Sequence, residues 1–78
     1  MSRLNNDEVL RKVMGLMQVL AKNQVPNIKI IFEDDTNILI QDFSREFVVR
    51  SHKLTWDEFV TTDSQILMAI AIGMQNDE

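Results

Sequence analysis

With 78 residues the chain has room for one domain, and a domain of that size buries only about 60% of the surface its unfolded form exposes. Cys is absent and His52 is the single His, so disulfides, thiolate zinc sites and His-rich metal sites are excluded. A formal net charge of −4 opposes non-specific nucleic-acid binding, which needs cations to displace phosphate counterions.

The first predicted element is a helix over 6–23. Asn5 and Glu8 have the spacing of a capping box, and Asp7 and Glu8 put negative charge where a helix N-terminus favours it. Leu10, Val13, Met14, Met17, Leu20 and Ala21 recur at helical spacing and form the expected inward face. Val9 and Leu16 extend its edge, and Val19 lies nearly opposite Leu10. Gly15 interrupts the pattern at a cost of about 1 kcal/mol against Ala. Asn23 can close the helix, and Pro26 prevents its continuation.

Three strands follow, over 27–33, 38–43 and 46–52. The first alternates Ile28, Ile30 and Phe32 with Lys29, Ile31 and Glu33. Asp34-Asp35-Thr36-Asn37 is a polar turn cluster that joins it to the second. The third is read from Phe47 and Val49 alternating with Val48, Arg50 and His52. Phe47 and Val49 then join the apolar face of the sheet, and Arg50 and His52 the reverse face.

The rest, 56–75, is helical. Thr55 and Glu58 form a second capping box, and the run Thr61-Thr62-Asp63-Ser64 interrupts helix propensity. A short helical turn before a longer helix is therefore expected, with one continuous, bent helix as the alternative. The whole is an α+β domain: helix, three-stranded antiparallel meander, then C-terminal helix, in two layers.

The segment from Ile66 to Met74 is apolar on every side, and such a helix must be covered all round. A protein partner, most simply a second copy of the chain, would provide that cover through Leu16, Val19, Ile70, Ala71, Gly73 and Met74. The segment is too short to cross a bilayer, and Met1 to Glu8 contains no apolar leader stretch, so a cytoplasmic location is expected.

Chemistry is poorly represented. His52 and Ser51 are adjacent on a predicted strand and so point to opposite faces, and no nucleophile elbow surrounds any Ser. No phosphate-binding loop or dinucleotide motif is present. Lys29, Arg50, His52 and Lys53, with Phe43, are the nearest thing to a basic stripe. Trp56 and Phe59 read as packing residues. The chain is expected to be non-enzymatic, with no cofactor and no metal. The alternative is a small acidic inhibitor of the phage type. It would present Glu33, Asp34, Asp35, Asp42, Asp57, Glu58 and Asp63 as a phosphate-like array to a nucleic-acid-handling enzyme.

Overall fold

In the computed structural model, which describes residues 6–76, helix α1 runs from Asn6 to Lys22. The cap expected at Asn5 lies outside the described residues. At the other end, Gln24 takes the left-handed conformation usually given to Gly, with φ 58°. The Val25 amide donates to the Leu20 carbonyl and the Gln24 amide to that of Ala21, which satisfies these two carbonyls of the last turn of α1. Asn23 contributes through its side-chain amide, which donates to the Val19 carbonyl.

The sheet comprises β1 (Ile28–Phe32), β2 (Asn37–Asp42) and β3 (Arg50–Thr55) in the order β1-β2-β3, all antiparallel. The hairpin between β1 and β2 forms where the polar cluster predicts it. Asp34 organises the turn, accepting from the amides of Thr36 and Asn37 at 2.8 Å and from the Thr36 hydroxyl at 2.9 Å.

β3 corrects the expected third strand over 46–52. The ladder opposes Ile38 to Leu54, Ile40 to His52 and Asp42 to Arg50. Residues opposed in an antiparallel pair share a face, so Arg50 and His52 lie on the helix-covered side. Phe47 and Val49 instead belong to the connection between β2 and β3, with Phe47 90% exposed. The reason lies just after β2, where the buried Asp42 carboxylate accepts from the Ser44 amide and hydroxyl, both at 2.9 Å. The chain turns out of the sheet there instead of returning at once. Arg45 then reaches the Gln75 carbonyl at 3.3 Å and fixes the connection to the C-terminal helix.

Two helices end the chain. α2 (Trp56–Thr61) carries the expected capping box in full: Thr55 Oγ1 accepts from the Glu58 amide, and the Glu58 carboxylate accepts from that of Thr55. α3 (Ser64–Asn76) is preceded by Asp63, whose carboxylate accepts from the Gln65 amide. The expected interruption of the helical region is therefore present, and Asp63 caps the second helix.

α3 packs on β2, and α1 lies against α3 and α2. Val9, Leu16 and Leu20 of α1 meet Ile28, Ile38 and Ile40 of the sheet and Phe59, Leu67 and Ala71 of the C-terminal helices in one core. This corrects the predicted inward face of α1. Its buried stripe is Val9, Leu16 and Leu20, with Val13 partly buried, whereas Leu10, Met14 and Met17 point to solvent.

Candidate functional site

Leu10, Met14, Met17 and Ala21 follow each other at spacings of four, three and four residues, and so stand in one line along α1. All four are exposed, Met14 by 63% and Leu10 by 50%. A helix satisfies its core with a single stripe of about 100°. α1 carries two adjacent stripes, and only one is used inside the subunit.

At its N-terminal end the exposed stripe runs into a cleft of about 460 Å³ lined by Val9, Leu10, Phe32, Asp34, Asp35 and Trp56. Its walls come from three separate parts of the chain. Trp56 is held at the start of α2 by two bonds to the hairpin: its amide donates to the Thr36 carbonyl at 3.0 Å and its indole Nε1 to the Asn37 carbonyl at 3.3 Å. Phe32, at the end of β1, meets the indole at a centroid distance of 5.9 Å and a tilt of 45°. The two acids come from the turn between them.

Those acids differ in what they do. The Asp34 carboxyl is held down at about 2, first by the backbone hydrogen bond from Thr36 and then by the Thr36 hydroxyl and the Asn37 donors. Asp35 is exposed and takes no part in this network. The cleft thus joins apolar walls to a negative mouth.

The predicted interface residues separate in the structure. Leu16 and Ala71 are buried in the subunit's own core, which removes them from any contact surface. Ile70 and Met74 are half-buried and pack against that core, and Val19 is half-buried as well. Gly73 is exposed, with none of the described residues within 4 Å of where a side chain would begin, so it supports no close helix approach among them. The exposed residues of α3 are Gln65, Ile66, Ala69, Gly73 and Asn76, of which only Ile66 is a large apolar side chain. The helix that is apolar all round therefore leaves little oil exposed, and the larger uncovered strip is on α1.

The acids proposed as a phosphate-like array are also dispersed. Asp42 is fully buried and corrected out of any surface. Glu33 pairs with Lys53 at 3.1 Å, and Glu58 and Asp63 serve helix caps. Asp57 is exposed on α2, while Asp34 and Asp35 line the cleft. The basic stripe divides too. Lys29, its ammonium 4.7 Å from the Phe43 ring centre, and Lys53 lie on the face away from the helices, opposite Arg50 and His52.

Among the described residues, no group of three or more His, Asp or Glu side chains is placed to hold a metal ion, and no helix is long and apolar enough to cross a membrane.

No protein-family model, curated protein or solved structure matches the chain. The site must be read from its own geometry. Sequence periodicity found every member of the exposed stripe but assigned it inward. The cleft had no local signal, because Leu10, Phe32 and Trp56 meet only through tertiary packing.

Proposed function

We propose that this protein is a non-enzymatic protein-interaction module that acts as a homodimer, with α1 as the contact. The observation that carries the reading is the exposed line Leu10, Met14, Met17, Ala21. Its spacing reads the same from either end, so it is complementary to itself in antiparallel orientation. A two-fold axis between Gly15 and Leu16 sets Leu10 on the partner's Ala21 and Met14 on the partner's Met17. Large thus meets small at the ends, and two adaptable thioethers meet near the middle. Helix dipoles oppose each other in the same arrangement, and the acidic first turn (Asp7, Glu8) lies near the end that carries the other copy's Lys22.

The size of the surface fits. Leu10, Met14, Met17 and Phe32 together expose on the order of 400 Å² of apolar surface, about half of the ~800 Å² that each partner contributes to a specific interface. Polar residues flanking the stripe and the cleft make the rest, as a rim does.

Light scattering after size exclusion tests the reading. At high micromolar concentration the particle is expected at twice the 9.1 kDa of one chain. Met14→Glu places two carboxylates near the axis and is expected to weaken association by about 100-fold or more while leaving the helical circular dichroism intact, because Met14 is not part of the core. A wild-type particle that stays at 9.1 kDa rules the homodimer out. Substitution of Ile70 is a poor probe by comparison, since that side chain packs against the core.

A further inference from the structure

We infer that the dimer contact continues along the free edge of β1, which pairs antiparallel with the β1 edge of the second copy, Ile30 opposite the partner's Ile30, and joins two three-stranded sheets into one of six strands. This rests on the homodimer reading above and adds a backbone half to the same contact.

The edge is open. β1 is an outer strand of the sheet. The Phe43 amide donates to the Asn27 carbonyl and the Glu33 amide to the Asn37 carbonyl, so Asn27, Lys29, Ile31 and Glu33 turn their backbone groups toward β2. Ile28, Ile30 and Phe32 turn theirs outward, and no other hydrogen bond among the described residues reaches them. Such a row of groups is a template for another strand. On the other outer strand, by contrast, the Thr55 amide is already taken by the Glu58 carboxylate.

The helices put this edge beside the exposed line of α1. α2 and α3 lie on β2 and β3, and α1 packs against both helices. α1 thus completes the helical layer on the β1 side, where Leu10 and Phe32 line one cleft. The half-buried Lys12 and Val19 lie on the side of α1 away from the exposed line, which therefore faces out of the layer. A two-fold axis that sets two antiparallel helices line to line keeps like flanks on the same side of the pair. Both sheets then lie side by side, β1 edge toward β1 edge. The heights agree as well. The axis crosses α1 about 8 Å along the helix from Leu10. Phe32, which shares the cleft with Leu10, stands about 7 Å along the strand from Ile30. With the axis at Ile30, Ile28 opposes the partner's Phe32, and all three outward residues find partners. On the reverse face Lys29 meets the partner's Ile31, so like charges are kept apart. A slide of two residues one way opposes the two Lys29 side chains; the other way, it leaves Ile28 beyond the partner strand.

Amide hydrogen exchange read by NMR tests this. In the wild-type dimer, the Ile30 and Phe32 amides are expected to exchange at least roughly tenfold more slowly than in monomeric Met14→Glu. The Lys29 and Ile31 amides, bonded to β2, should be slow in both, which shows that both are folded. A charge test checks the register. Ile31→Lys sets a cation against the partner's Lys29 at two symmetric places, and is expected to weaken association roughly fivefold or more. Adding Lys29→Glu to the same chain opposes each new ammonium to a carboxylate and should restore it. Ile31 is only half-buried and lies on the face away from the helices, so circular dichroism should show both variants folded. Fast exchange at Ile30 and Phe32 in a wild-type dimer overturns the edge pairing. So does association that is indifferent to Ile31→Lys or is not restored by the second substitution. If Met14→Glu still breaks the dimer in that case, the apolar stripe stands and only the edge contact falls; a monomeric wild type removes both.

Discussion

Asp34 and Asp42 show how one residue type is used in two ways in this molecule. Asp42 is sealed in the sheet and spends both carboxylate oxygens on Ser44. Asp34 sits at the surface and gathers donors from Thr36 and Asn37. These donors stabilise the charged form, so its carboxyl titrates at about 2, below the ordinary 3.8. A depressed value means that the folded chain holds the carboxylate more readily than the unfolded chain does. The resulting contribution to stability is complete above 3.8 and is lost as the pH falls through about 2. In a carbon-detected NMR titration, the Asp34 carboxyl is expected to have its midpoint near 2. Thr36→Val removes the hydroxyl donor but keeps the amide, so the midpoint should rise and still stay below 3.8. A wild-type midpoint at the ordinary value would mean that the turn, and with it one wall of the cleft, does not form in solution.

At the scale of elements, α1 contains the clearest departure from local preference. Gly15 lies in the middle of the helix, is not in the left-handed region, and has open space where a side chain would start. Nothing among the described residues requires Gly there. Gly15→Ala is expected to raise stability by about 0.5–1 kcal/mol in denaturant melts, from helix propensity alone. Gly15 is off the Leu10–Ala21 line, so self-association should be unchanged; a loss of stability would reveal a neighbour at that position. The same helix shows where sequence periodicity stops being informative. Val9, Val13, Leu16 and Leu20 form one line and Leu10, Met14, Met17 and Ala21 another, about 100° apart. Either could face a core, and the choice was made by α2 and α3, which the pattern of α1 does not contain. The capping box of α2, the first hairpin and the break between α2 and α3 were legible because each rests on residues within four positions of one another. β3 was not. Its sequence, Arg50-Ser51-His52-Lys53-Leu54-Thr55, has one large apolar residue, whereas Phe47-Val48-Val49 beside it looks far more like a strand. The register was settled by Ile40 and Ile38 of β2 and by the turn at Asp42, not by alternation. The cleft was invisible for a related reason, since its aromatic walls are 24 positions apart and are joined through the backbone of Thr36 and Asn37.

For the molecule as a whole, stability and association should be one problem. Among the described residues the core rests on nine buried apolar side chains, and a domain of this size supplies only a few kcal/mol from its core. There are no disulfides, and the homodimer proposed above would add the surface of a second copy. Burying the α1 stripe stabilises only the folded form, so thermal unfolding should depend on protein concentration. A tenfold dilution takes about 1.4 kcal/mol from the dimer, and with ~2.1 cal/mol/K of unfolding entropy per residue in each of two chains this lowers Tm by about 4 °C. Met14→Glu should melt lower than the wild type at high concentration and at the same temperature when both are dilute, because its own core is intact. Its Tm should not move with dilution. A wild-type Tm that is equally insensitive, across a range in which light scattering reports a dimer, would mean that the association survives unfolding and so does not depend on the folded α1 stripe. The apolar line on α1 would then be an ordinary exposed surface, and the recognition surface would have to be sought elsewhere, first at Phe47 and its two neighbouring valines.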